Sequence, residues 1–166
     1  MNAHINRIGT AVPAHDIHAA FVAFAPAGLA DARARAVFAR MAARAGIAHR
    51  YSHLAPGGQA PGEVDAAGFY RKGDFPGTAA RMRAYETQAL ALSLQAVARL
   101  APAAGGITHL IVASCTGFTA PGLDLQLAAA IGLRRDVARC VIGFMGCAAA
   151  VPALRAASEA VRADPA

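Results

Sequence analysis

The chain has 166 residues, 56% of them hydrophobic and 16% charged, with a formal net charge of +6. That is the length of one domain, and far too apolar and weakly charged for a disordered segment. The positive charge is nearly all arginine and scattered, Trp is absent and aromatics are 6% of residues, which argues against a nucleic-acid surface of clustered cations and aromatics.

Binding an anionic small molecule needs only two or three placed cations and stays open. The apolar share is high enough to expect surface that a partner or further chain covers. Three cysteines, Cys115, Cys140 and Cys147, form no metal-spaced pair. Their odd number, without a signal-peptide pattern, argues against a secreted disulfide scaffold. No apolar run reaches the roughly 18 residues of a membrane helix. These features predict a reduced, cytoplasmic protein with neither membrane nor nucleic acid as partner.

Ile5 to Val12 alternates like a strand, closed by Pro13. From Asp16 an acid cap and apolar spacing predict a helix closed by Pro26. Leu29 to Gly46 reads as a helix with Gly46 as its stop, and "IAHRYSHL" as a short strand. The Gly- and Pro-rich stretch 55–78 reads as a long irregular loop, of the kind that often carries function or a partner contact. Thr78 is expected to cap a helix to about Leu100, with Met82, Tyr85, Leu90, Leu92 and Val97 forming a core stripe.

Ile107–Cys115 and "ARCVIGF" read as buried parallel strands, which places Cys140 in the core. Between them lie a polar turn, Asp124 as an expected cap, and a short helix ending near Gly132. A last helix follows "MGC" to about Val161. Strands alternating with helices imply an α/β domain with a mostly parallel sheet. The chain stops after a helix, where such a unit would return to another strand.

"GFMGC" carries the chemical interest. Its glycines permit tight backbone and close approach of a ligand. Cys147 falls at the opening of the last helix, where unpaired N–H groups and the helix dipole favour an anion. A thiol with an ordinary pKa of about 8.5 can fall by units in such a place, and the thiolate suits covalent acyl transfer. Pro152 has no N–H to give to a helical turn, so the regular helix is expected to start a residue or two after Cys147, or to be distorted there. The competing reading is a small buried hydrophobe between strand and helix, since free cysteines are commonly buried.

"THLIVASCTGFTAPGLDLQLAAAIGL" followed by "VIGFMGCAAAVPALRAA" resembles the N-terminal half of a type III polyketide synthase, the chalcone synthase-like family. The resemblance runs from about Arg40 to the end and is weaker before it. It implies a thiolase-like α/β fold, with residues 1–166 as the N-terminal domain, a mostly parallel mixed sheet flanked by helices, and the C-terminal domain absent. It also implies a homodimer that loads an acyl-CoA starter on a cysteine and extends it with malonyl-CoA by decarboxylative condensation. No bound cofactor is implied; the CoA thioesters are substrates.

Residue by residue, Cys147 matches the family's nucleophile. Arg40 and Arg44 match basic residues that hold CoA phosphates, and the third position of that set falls on Val37. Cys115 and Thr116 match cavity-lining positions. Ala120 matches a residue that reaches into the partner's cavity, and its bond to Pro121 resembles a cis peptide. Ala150 and Val151 stand where plant members often have glycines. The family's catalytic histidine and asparagine lie beyond residue 166, and none of the six histidines falls on a catalytic position. His109 reads as a strand-end polar residue. His49 and His53 share a face but lack a third ligand, so no metal is expected.

Two alternatives stand beside this reading. One is a ketoacyl-ACP synthase III or thiolase-like condensing enzyme. The other is a non-catalytic dimerising half-domain.

Overall fold

The computed structural model of the protein describes residues 3–57 and 62–163. Residues 58–61 of the expected loop, and residues 164–166 at the end, lie outside it. The chain divides into two units, Met1–Ala11 with Thr78–Ala166, and Val12–Gly77.

The first unit is built on two parallel strands. Strand β3, His109–Ser114, pairs in parallel with β4, Ala138–Gly143, in a register running from His109 opposite Ala138 to Ser114 opposite Gly143. Both were expected as strands from their short β-rich apolar runs. Helices α3, Thr78–Leu100, and α4, Leu123–Ala130, pack on each other, and α4 also packs on both strands. Helix α5, Ala150–Ala163, packs on β3. The core comprises Leu123, Leu127 and Ala128 of α4 with Val137 and Ala149.

Local details correct the sequence reading. The strands are less buried than expected: β3 is mostly half-buried, and β4 is largely exposed, Cys140 included. The reason is that this sheet has two strands among the described residues, whereas a strand reads as core only when neighbours and helices cover both its faces.

Ile5–Val12 forms no strand either. It is tied to the end of α3: Arg7 donates to the Ala101 carbonyl at 3.2 Å and Arg99 to the Thr10 carbonyl at 2.6 Å. Gly9 lies so close to α3 that an added Cβ would sit 2.5 Å from the Ala96 carbonyl oxygen. Thr78 is the first residue of α3 and not its cap, and the stripe from Met82 to Val97, expected as core, is half-buried, with no residue of α3 fully buried. Gly122, not Asp124, occupies the cap of α4; Asp124 sits in the first turn, 3.6 Å from the Arg139 guanidinium. Gly132 closes α4 at φ +69°, where the Leu133 N–H returns to the Ala128 carbonyl.

The second unit holds two short helices and a hairpin-like pair. Helix α1 is His18–Phe24; it runs into a 3-10 turn over Ala25–Gly28 that carries Pro26. Helix α2, Ala32–Arg44, is shorter than the expected Leu29–Gly46. Its start is set by Asp31, whose carboxylate accepts from the Ala34 N–H at 2.7 Å, and Gly46 follows its end at φ +63°. Strand β1, His15–Asp16, pairs antiparallel with β2, Tyr51–Ser52. The α/β architecture is as expected; among the described residues its strands form two pairs, one parallel and one antiparallel, one in each unit. The Gly- and Pro-rich loop closes on Asp65, which is fully buried and accepts from the Phe69 and Tyr70 N–H groups at 2.8 Å each.

Candidate functional site

Parallel pairing puts the carboxyl ends of β3 and β4 side by side. Ligands of open α/β sheets bind beyond that end. Two segments leave from it: residues 115–122 after β3, and residues 144–149 after β4. The first carries Cys115, Thr116 and Ala120, and the second carries Cys147. One unit therefore brings four of the sequence-predicted site residues to one end of one strand pair. Arg40 and Arg44 lie on α2 of the other unit.

The Cys147 turn is built in three steps. The Phe144 N–H continues the ladder to the Ser114 carbonyl at 3.1 Å. Phe144 then takes φ +56° and Gly146 φ +68°. A left-handed conformation is ordinary for glycine and uncommon for a bulky side chain, so the reversal is concentrated at these two residues. Gly146–Ala148 form a single 3-10 turn, and α5 opens at Ala150.

Cys147 thus precedes the regular helix by three residues, close to the short delay that Pro152 predicts. Pro152 falls in the first turn of α5, where a missing N–H removes no intrahelical bond. The thiol is exposed in this chain, where the competing reading expected a buried one. Helix α5 has no acidic residue in its first turn, so no side-chain anion there competes for its N–H groups.

The facing segment is anchored in part from residues that the motif does not contain, Tyr85 and Glu86 of α3. Gly117 is buried with its backbone directly on the Tyr85 ring, leaving no room for a Cβ. The Thr119 hydroxyl donates to the Glu86 carboxylate at 3.4 Å, and the Gln126 amide donates to the Pro121 carbonyl at 2.7 Å. The Ala120–Pro121 peptide is cis, as the family resemblance implies. Cys115, Thr116 and Ala120 are exposed. Tyr85 had read only as part of a helix stripe and Glu86 had not been singled out; the signal that marks Tyr85 is the glycine opposite, which needs a flat neighbour.

Arg40 and Arg44 sit at i and i+4 on α2, both exposed and without a hydrogen-bond or ion-pair partner among the described residues. The histidines fall elsewhere. His49 Nδ1 lies 2.6 Å from Asp16 Oδ2, and its ring stacks on Tyr51. Asp16 was expected to cap α1; that position belongs to Ile17. Asp16 Oδ1 accepts from the His18 and Arg50 N–H groups at 3.0 and 3.1 Å. The His49 hydrogen bond, seconded by those two amides, draws the Asp16 carboxyl down from 3.8 to about 2. Among the described residues no cluster of His, Cys, Asp and Glu could hold a metal ion, and no helix is long and apolar enough to cross a membrane.

Comparison with known proteins gives a consistent picture. Residues 2–165 match the sequence pattern of the chalcone and stilbene synthases, N-terminal domain. An alpha-pyrone synthesis polyketide synthase-like protein of Mycobacterium tuberculosis is 45% identical over 78 residues, which is 47% of this chain and 20% of that protein. The crystal structure of a polyketide synthase from the brown alga Ectocarpus siliculosus superposes with a TM-score of 0.71 at 28% identity, over 95% of this chain and 44% of that one. CsyB, crystallised with CoA-SH, superposes with a TM-score of 0.70 at 21% identity, over 94% of this chain and 41% of that one. The chain spans less than half the length of the solved structures it matches.

Proposed function

From its membership of the chalcone and stilbene synthase family, as an N-terminal domain with the thiolase-like α/β fold, we propose that this chain carries the acyl-loading half of a type III polyketide synthase. Cys147 is the nucleophile. Its thiolate attacks the carbonyl of an acyl-CoA starter, and CoA leaves as its thiolate, so the acyl group passes from one sulfur to the other. Malonyl-CoA then loses CO2, and the resulting enolate carbon attacks the acyl-cysteine carbonyl. The carbon–sulfur bond breaks and Cys147 is released as a thiolate.

Arg40 and Arg44 hold the phosphates of CoA by charge-assisted hydrogen bonds. Cys115, Thr116 and Ala120 line the cavity in which the chain grows, with Ala120 reaching toward the partner of a homodimer. Residues 1–166 act with a C-terminal half of the same fold, which supplies the histidine and asparagine of the condensation. The observation that carries this reading is the position of Cys147: an exposed thiol beyond the carboxyl end of a parallel strand, on the turn that opens α5.

Acyl-CoA added to the protein, with and without the C-terminal half supplied in trans, should give an acyl mass adduct that peptide mapping places on Cys147. Cys147→Ala should abolish it while Cys115→Ala and Cys140→Ala retain it. No adduct under either condition removes the proposal. An adduct formed only from an acyl carrier protein would move it to the ketoacyl-ACP synthase III kind.

A further inference from the structure

The CoA reading leaves one cation short, because Val37 stands where a third basic residue is expected. Helix α2 has four arginines and no acid. At 3.6 residues per turn, residues 33, 37, 40 and 44 fall within roughly 60° of arc, a single stripe. The half-buried Ala34, Phe38 and Ala42 lie on another face. The stripe reads Arg33, Val37, Arg40, Arg44: one turn before the apolar gap stands a cation.

Arg33 is exposed and, like Arg40 and Arg44, has no hydrogen-bond or ion-pair partner among the described residues. The fourth arginine behaves differently. Arg35 points away from the stripe, and its guanidinium donates to the Leu29 carbonyl at 3.0 Å. One arginine of α2 therefore serves the fold, and three on one face have charge to give to a ligand.

We propose that Arg33 supplies the third cation of the phosphate-binding row, in place of a basic residue at position 37. This inference rests on the proposed CoA site. At 1.5 Å per residue Arg33 stands roughly 10 Å along the axis from Arg40 and Arg40 roughly 6 Å from Arg44, and long flexible side chains span those gaps. CoA carries two phosphate centres, a 3′-monophosphate and a 5′-diphosphate, so it suits an extended row of cations better than a single pair does.

The test is CoA binding to the chain by isothermal titration, with Arg33→Gln, Arg40→Gln, Arg44→Gln and Arg35→Gln compared after thermal melts confirm folding. Pantetheine, which lacks the phosphates, serves as the second probe. Arg33→Gln should weaken CoA roughly three- to tenfold, as Arg40→Gln does, and leave pantetheine unchanged. Val37→Lys should restore affinity in the Arg33→Gln background and add less in the unaltered chain, because the two cations serve one role.

If Arg33→Gln matches Arg35→Gln while Arg40→Gln and Arg44→Gln weaken CoA, Arg33 has no part and the CoA site stands. Equal losses for CoA and pantetheine also overturn the role of Arg33. If no stripe variant changes CoA binding, or the unaltered chain binds none, the CoA site itself falls, and Arg33 with it.

Discussion

In the unit that holds β3 and β4, the buried side chains among the described residues are Leu123, Leu127, Ala128, Val137 and Ala149, all apolar. In Val12–Gly77 the buried residues are Val64 and Asp65, and Asp65 is the one side chain among the described residues that is fully enclosed. One unit is held by volume, the other in part by a carboxylate that gathers backbone amides. Apolar contacts are non-directional and average over many atoms. Hydrogen bonds to a buried charge are few and directional, and leaving one unmade is expensive. The contrast explains how residues 62–77 of the Gly- and Pro-rich stretch can be held without a hydrophobic run. The Asp65 carboxylate holds Phe69 and Tyr70, Gly57 donates to the Val64 carbonyl at 2.9 Å, and Glu63 pairs with Arg71 at 3.0 Å. The rings of Phe69 and Tyr70 meet edge to face, and Tyr70 also contacts Phe75.

Two substitutions sharpen this comparison. Leu127→Ala empties volume in the apolar core and should lower stability by about 3 kcal/mol in urea unfolding, with faster amide exchange across β3 and β4. Asp65→Ala removes two acceptors and strands two amides; it should cost about 2 kcal/mol and speed exchange at Phe69 and Tyr70 first. Asp65→Asn keeps one carbonyl oxygen and should fall between Asp65→Ala and the unaltered chain. Unchanged exchange at Phe69 and Tyr70 in Asp65→Ala would break the contrast, since the loop would then be held by its aromatics alone.

The legible parts of the molecule are those where local pattern and tertiary role coincide. The runs at 109–114 and 138–143 are short and β-rich, and Gly46 and Gly132 mark helix ends by the positive φ they adopt. "GFMGC" pointed to a thiol between a strand and a helix, and Pro152 set the delay before α5. The illegible parts depend on partners distant in sequence. Ile5–Val12 alternates, but alternation records amphipathicity and not the presence of a strand to pair with. Cys140 read as core because sequence shows a strand and not what covers it. Asp65 was not singled out within the Gly- and Pro-rich loop; its amide donors follow it by four and five residues in a turn that no propensity encodes. Phe144 at φ +56° carries no glycine to announce it. The supports of the 115–122 segment, Tyr85 and Glu86, come from a helix about 30 residues upstream. Arg40 and Arg44 were singled out by family resemblance, since i, i+4 spacing alone equally describes a solvated face.

A second carboxylate in the Val12–Gly77 unit gives the finest test of directional bonding. Asp16 resembles Asp65 in accepting two backbone N–H groups, but it is solvated and adds a ring nitrogen, His49 Nδ1. The His49 bond is the largest cause of its lowered value of about 2, ahead of the two amides. A carboxyl whose folded value lies below its unfolded one stabilises the fold fully above the unfolded value, and that contribution is lost as pH falls through the folded one. The window is therefore from about pH 4 down to about pH 2. Following the Asp16 carboxyl carbon by NMR, His49→Gln should move the midpoint upward toward 3.8 without reaching it, because the His18 and Arg50 amides remain. Asp16→Asn should make unfolding less dependent on pH in that window and leave the slope above pH 5 as it was. Solvent screening keeps this effect the smallest of the three. A midpoint unmoved by His49→Gln would assign the whole shift to the backbone amides, making Asp16 an exposed version of the Asp65 arrangement and erasing the distinction between them.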